Sequence, residues 1–476
     1  MAAPFKILVI DDDPTGSQTV HSCPLLLRWD PAILAAGLRH PSPLLFLLAN
    51  TRALAPAAAA ERLRDICRAL AEVLPTAGIE RWWLVSRGDS TLRGHFPLEV
   101  DVISAELGPF AATLLIPAFL DGGRTTVGGV HLLQGQPVHE TPFARDGLFG
   151  YGTSHLPAWV EEKSGGRIPA QQVQCLDCAE LDRAAGDGGR ALAARLAAWQ
   201  NQPVVVVDSE RPQQLAALAE VVRASPRPVL AQSAASWIQA LADLPPQPLD
   251  AIGLAGLRRC GLGGEQLPGL VLVGSHVPLA DAQLEQLLHE PGCGGLELPV
   301  LQLARVLEGP LPGPLLASLE RDWLIRLETL LAEGRTPVLF TSRGELRCAS
   351  PQERRRLGDG LAAVMARLAA ALAPQLGYLI SKGGITTHTL LADGLGLAAV
   401  ELQGQLLPGL SLVLTPLAGA VPQLPVLTFP GNLGDAGSLR QAWRCMEGLD
   451  PLALPDGGSQ SDPSAGARRS ASSEPA

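Results

Sequence analysis

Lysine is almost missing from this chain. Only Lys6, Lys163 and Lys382 carry it, so nearly all positive charge is arginine. A lysine here is a rare choice, and Lys382 stands in a glycine-containing segment. No glycine is followed by lysine anywhere, which removes the GxxxxGK[ST] phosphate loop. HExxH and GxSxG are missing as well, so zinc-peptidase and nucleophile-elbow chemistry have no footing. Of eight cysteines, only Cys175 and Cys178 have metal-like spacing. No second CxxC or nearby HxxxH completes a zinc set, so they read as chance thiols. An excess of positive charge is also lacking: the net charge is −10 and the pI about 5.4. That argues against a nucleic-acid partner. No cationic segment followed by an apolar run opens the chain; Phe5–Ile10 runs straight into three aspartates. The expected location is therefore cytoplasmic, with reduced thiols. Leu402–Gly434 carries no charge, but Pro408, Pro416, Pro422, Pro425 and Pro430 interrupt it. A spanning helix needs about 20 continuous apolar residues, so short buried strands fit better and no membrane partner is expected.

What is present is a globular balance, 47% apolar and 18% charged over 476 residues, enough for two domains. Short apolar runs alternate with helical patterns. Lys6–Ile10, Leu44–Ala49, Arg81–Ser86, Thr113–Pro117 and Pro203–Val207 read as strands. Leu63, Ile66, Cys67, Leu70, Val73 and Leu74 fall on one helix face. After a Pro- and Gly-rich stretch between 244 and 264, the alternation restarts. Strands are expected at Leu270–Val273, Pro337–Thr341, Tyr378–Ile380, Leu412–Leu414 and Val426–Thr428, with a helical stripe from Leu361 to Leu372. This predicts an α/β fold of two domains, 1–245 and 246–450. Each is a mostly parallel or mixed sheet covered by helices, and a cleft lies between them. The Ser-, Gly- and Pro-rich 451–476 reads as a disordered tail.

Four segments follow strands, where such sheets place their ligands. Asp11-Asp12-Asp13-Pro14-Thr15-Gly16-Ser17 crowds three carboxylates at a strand end, which costs energy unless cations or donors engage them. Ser86-Arg87-Gly88-Asp89-Ser90-Thr91-Leu92-Arg93-Gly94-His95 joins two arginines, a carboxylate and hydroxyls. Ser90 or Thr91 is expected to cap a following helix whose free N–H groups would help to hold an anion. Arg52, after the second strand, offers a further anion contact. Gly122-Gly123-Arg124-Thr125-Thr126 is either a ligand loop or a turn. Ser381-Lys382-Gly383-Gly384-Ile385-Thr386 is a candidate phosphate cradle, with Ser275 and Gly431 close to other strand ends. Two GxGxxA matches, at Gly186–Ala191 and Gly394–Ala399, lack a preceding strand pattern and count against a dinucleotide-dependent dehydrogenase.

In this order, Asp12-Asp13-Pro14-Thr15-Gly16, Asp89–Gly94, Gly122–Thr125, Lys382–Thr386 and Gly431–Gly434 resemble the motifs of the four-carbon acid sugar kinase family. The resemblance spans about residues 5 to 446. It implies ATP-dependent phosphorylation of acids such as erythronate, threonate or 3-oxo-tetronates. It further implies that Asp12, Asp13, Arg52 and Asp89–Arg93 hold the sugar acid, and that Ser275, Gly383–Thr386 and Gly431 hold ATP. On the mechanism this suggests, Arg52, Arg87 and Arg93 clamp the carboxylate, and Asp12 or Asp13 is the base, the other helping to hold Mg²⁺. Lys382 carries nucleotide phosphates in that scheme. Pro14 and Arg87 depart from the usual family residues, which leaves the particular acid open. A non-catalytic sugar-acid sensor is the alternative from another functional class. Whether the chain forms a homo-oligomer is left open.

Overall fold

The computed structural model describes residues 5–309, 312–343, 348 and 350–453; the expected tail falls almost wholly outside them. Eighteen strands form among the described residues. In chain order they are β1 Phe5–Asp11, β2 Cys23–Leu26, β3 Leu44–Leu48, β4 Arg81–Arg87, β5 Thr113–Ile116 and β6 Arg124–Val127. Next come β7 Val130–Leu133, β8 Gln136–Pro137, β9 Gln174–Leu176, β10 Val204–Val207, β11 Leu230–Ser233 and β12 Gly269–Val273. The last six are β13 Cys293–Leu298, β14 Thr336–Thr341, β15 Tyr378–Lys382, β16 Ala399–Leu407, β17 Leu410–Leu414 and β18 Pro425–Phe429.

Fifteen of them make one sheet, in the order β13-β14-β12-β15-β18-β17-β16-β2-β3-β1-β4-β11-β5-β10-β9. The amino-terminal eight, β2 through β9 in that order, are mutually parallel. The carboxy-terminal run from β13 to β18 is parallel too. Between them β17 and β16 run antiparallel, and β16 pairs antiparallel with β2, Leu25 opposite Val400. The two halves thus share one hydrogen-bonded sheet. β6, β7 and β8 form a small separate sheet.

Alternation along the strands explains the layers. Ile7 and Val9 of β1 enter one core, which continues through Leu270, Leu272 and Val364 of the second half. Leu8 and Ile10 enter the opposite core, built on the amino-terminal half. Strands buried on both faces need uninterrupted apolar runs, and β1, β3 and β10 have them. The helix Pro56–Thr76 buries Leu63, Ile66, Cys67, Leu70, Val73 and Leu74, the expected face. The charge-free stretch contains most of β16, from Leu402 on, followed by β17 and β18. One described helical stretch, Glu353–Gln375, is long and apolar enough to cross a membrane. Its Val364, Met365, Leu368 and Leu372 lie in the core. The GxGxxA segments follow helices rather than strands: Gly186–Ala191 joins two helices, and Gly394 closes a helical turn.

The seam at β2 is testable. Leu25 is 1% exposed, so Leu25→Ala should cost about 3 kcal/mol of unfolding free energy, within the usual range for buried leucines. Urea unfolding measures it; a loss below about 1 kcal/mol would mean that the seam does little to hold the halves together.

Candidate active site

The acidic turn leaves the sheet between two parallel neighbours. The Asp12 N–H donates to Arg87 O (3.2 Å), and the Arg52 N–H donates to Asp12 O (3.2 Å). β1, the loop after β3 and β4 therefore converge at one point. Arg52 forks the Asp12 carboxylate, with Nε to Oδ2 at 2.9 Å and Nη2 to Oδ1 at 2.5 Å, and its Nη1 lies 3.4 Å from Asp13 Oδ2. Arg87 sits between Asp12 (3.5 Å) and Asp11 (3.7 Å) and also donates to Gln18 Oε1 (3.3 Å). The Thr15 N–H and hydroxyl both donate to Asp13 Oδ1. Gly16 lies over the Asp11 carboxylate, where a Cβ would stand 2.1 Å from Oδ1.

Burial divides the three carboxyls electrostatically. It pushes Asp11 up to about 8, Arg87 opposing it only in part. Burial also raises Asp12 against the opposing pull of Arg52 and Arg87. For Asp13, burial is outweighed by Arg52 and the Thr15 hydrogen bonds, and its pKa falls below the usual value. Asp13 is thus the carboxylate held ionised, and its side chain is 18% exposed against 2% for Asp12.

The loop after β4 departs from expectation. No helix starts at Ser90 or Thr91; the next helix is Leu98–Leu107. Leu92 has φ +65° and Gly94 φ +134°, values incompatible with a helical first turn. The Thr91 hydroxyl is spent on Asp89, which also accepts from Arg93 Nε at 2.7 Å. Burial would raise Asp89, but Arg93, Arg52 and the Thr91 hydroxyl hold it well below the usual carboxylate range. Outside residues fix the loop: Tyr151 donates to Thr91 O (2.7 Å), and the His131 ring lies between Ser90 O (2.8 Å) and Thr126 Oγ1 (2.9 Å). Sequence patterning did not single out either residue, because both lie far along the chain in or beside the small sheet.

On the other half, Ser381–Thr386 has the expected strand–turn–helix form, turning at Gly383 with φ +116° and entering the helix Gly384–Thr389. Ser275 and Gly431 join it: a Cβ on Gly431 would stand 2.8 Å from Ser275 Oγ, and the Ser275 N–H lies 3.4 Å from the Cβ position of Gly383. Lys382 points elsewhere. It is fully buried, donates to Pro430 O (3.0 Å) and Gly431 O (3.3 Å), and lies 4.0 Å from the Phe429 ring centroid. Its ammonium is aimed at the backbone under the loop and holds the Pro430–Gly431 turn. Burial lowers its pKa to about 7, whereas the ring face and the two carbonyls favour the cation.

The halves meet at this point. A Cβ on Gly384 would stand 2.8 Å from Asp13 Oδ2. A polar cleft of about 380 Å³ opens beside them, lined by Thr15, Gln18, Arg52, Arg87, Asp89 and Arg124 on one side and by Pro430, Asn432 and Leu433 on the other. A second, more apolar cleft of about 740 Å³ lies over the ends of β12 and β14, with Val300, Leu361, Met365 and Ile385 in its wall. Leu361 and Met365 read in sequence only as a core stripe. Gln18, one residue past the acidic turn segment, carries no sequence signal of its own.

Residues 7–241 match a family model described as a sugar-binding N-terminal domain, and residues 270–439 one described as a nucleotide-binding C-terminal domain. A D-threonate kinase of Bordetella bronchiseptica is 28% identical over 458 residues, 93% of this chain and 97% of the relative. A D-erythronate kinase of Heliobacterium modesticaldum is 25% identical over 463 residues, again 93% and 97%. A crystal structure of a Haemophilus influenzae protein superposes with TM-score 0.57 at 17% identity, covering 93% of this chain and 99% of that one. It speaks to the fold alone.

The buried His131 gives a pH test. Burial depresses its pKa from 6.5 to about 4. Between these values the unfolded chain binds the proton that the folded ring refuses, so stability from this group is lost as pH falls through the window. In His131→Gln that slope is missing. The stability difference between wild type and variant should therefore move against wild type by at most about 3 kcal/mol from pH 6.5 to pH 4. Denaturant titrations at both pH values read it; a constant difference would contradict a neutral folded histidine.

Proposed function

This chain belongs to the four-carbon acid sugar kinase family, and we propose that it transfers the γ-phosphoryl group of ATP to a hydroxyl of a four-carbon sugar acid in the cytoplasm. It is a carbohydrate kinase, as its relatives are named. Erythronate, threonate and 3-oxo-tetronates are the substrate candidates. The observation that carries the reading is the approach of the ionised Asp13 carboxylate to the Gly383–Gly384 turn across the two halves.

In this reading Asp12, Asp13, Arg52, Arg87 and the Asp89–Arg93 loop surround the sugar acid. Ser275, Gly383–Thr386 and Gly431 take the phosphates, and the apolar cleft beside Ile385 takes the base. Lys382 acts through the turn that it holds. Asp13 is the base: it is ionised, partly exposed and adjacent to the nucleotide turn, whereas Asp12 is enclosed by two guanidinium groups. The substrate oxygen forms the new bond to the γ-phosphorus, the bond to the bridging oxygen of ADP breaks, and Asp13 receives the hydroxyl proton. Among the described residues no group of three or more His, Cys, Asp or Glu could hold a metal ion. Mg²⁺ commonly takes one or two carboxylates plus substrate phosphates; with Asp13 as the base, Asp12 would be the carboxylate that helps to hold it. When bound, the ion would neutralise charge on the phosphates.

The dehydrogenase alternative has no support in the fold, since neither GxGxxA segment follows a strand. The sensor alternative is separated by experiment. ATP consumption with Mg²⁺ against a panel of four-carbon acids should yield ADP well above background for at least one acid. Binding of an acid without turnover on any member of the panel would favour the sensor. Asp13→Asn should lower kcat by about 1,000-fold while ATP still binds. A change within tenfold would remove Asp13 as the base.

A further inference from the structure

The geometry points to Arg124 as the carboxylate anchor of the sugar-acid cleft, holding the substrate side-on through its Nε and Nη2 edge. This inference rests on the kinase reading and deepens it. Four arginines stand in or beside the cleft, and three are already answered by carboxylates. Arg52 forks Asp12 and reaches Asp13. Arg87 lies between Asp11 and Asp12. Arg93 is 2.7 Å from Asp89 and 3.8 Å from Asp146. Arg124 lines the same cleft and has no carboxylate within 4.0 Å among the described residues.

The guanidinium of Arg124 is nevertheless built into place. Its Nη1 donates to Gly122 O at 2.5 Å, and its plane lies over the Phe119 ring, 5.6 Å from the centroid. Its Nε is buried without an acceptor. Burial and the like charge of Arg93 work against its cationic form, with only Asp89 in its favour. A half-buried cation with an unanswered buried N–H costs free energy that an anion would recover. With Nη1 committed to the chain, Nε and Nη2 remain as a parallel pair of donors, the fork that matches a carboxylate. The substrate carboxylate at Arg124 leaves its hydroxyls to face Asp12, Asp13 and Asp89. Those groups accept hydrogen bonds and would repel a second carboxylate.

The test uses Arg124→Gln and Arg124→Lys in the full-length protein, with the best acid of the panel and with threitol, its uncharged analogue in carbon number. The expected result for Arg124→Gln is a KM for the acid raised about 100-fold, the size of a lost bidentate ion pair. The KM for ATP should stay within about twofold, and the preference for acid over threitol should collapse. Arg124→Lys should recover only part of the loss, because it has no fork. Melting temperatures are measured alongside. If Arg124→Gln melts well below wild type, Arg124→Lys decides, since its long stem can still cover Phe119. A KM for the acid within threefold of wild type in both variants overturns the anchor. No ADP from wild type with any acid would instead sink the kinase reading. Calorimetric titration with D-threonate then separates the two: weaker binding to Arg124→Gln than to wild type upholds the anchor, and equal or undetectable binding rejects it.

Discussion

The antiparallel pairing of β16 with β2 is the constraint on which the site depends. Within each half the strands are parallel, so each half presents one edge of carboxyl ends. The antiparallel steps from β18 through β17 and β16 to β2 reverse the direction of the second set relative to the first. In a flat sheet the two edges would point apart. Six strand steps separate β15 from β1, and at about 20–25° of twist per step the accumulated rotation is roughly 120–150°. A rotation of that size would swing the two edges from opposite directions to within about 30–60° of the same direction. The closeness of Asp13 to Gly384 is the outcome. A four-residue strand therefore positions residues 371 positions apart in sequence.

The second layer of the design is electrostatic. Asp11, Asp12 and Arg87 are almost fully buried, which is costly for lone charges and tolerable only in mutual contact. Arg52 and Arg87 work mainly as the internal counterions of the aspartates. They fix the carboxylate geometry and pull against the burial that raises Asp12, and Arg52 helps to hold Asp13 low. Such a network does not need to reorganise when a ligand arrives, and this is how buried polar sites favour developing charge. It also means that a count of arginines in the sequence overstates how many can meet a substrate anion.

Much of this was legible in the chain. The apolar runs located β1, β3, β4, β10, β12 and β14 to within a residue or two at their ends, because strands buried on both faces need such runs. β2 was not legible: Cys-Pro-Leu-Leu is short, begins with a proline dipeptide and follows a polar stretch. β16 alternates buried and half-buried residues, Glu401 and Gln403 among them, so it lacks the continuous apolar run that marks the other strands. The site segments were visible because they follow strands. Their internal wiring was not. Leu92 at positive φ, the claim of Asp89 on Thr91, and the inward turn of Lys382 are tertiary choices with no local signature.

Lys382 shows why that wiring matters. Its ammonium holds the carbonyls of Pro430 and Gly431. The same turn presents Gly431 to Ser275, and Asn432 and Leu433 to the polar cleft. One short loop is therefore a wall of both regions, and its position is set from beneath by a buried cation against the Phe429 ring. Arginine, abundant elsewhere, is a poor replacement there. A planar five-donor head would leave donors unanswered in a pocket that offers two carbonyls and a ring face, whereas a compact ammonium suits it. The choice of lysine at this position then has a physical explanation: the turn needs a small cation, and lysine is the side chain that supplies one.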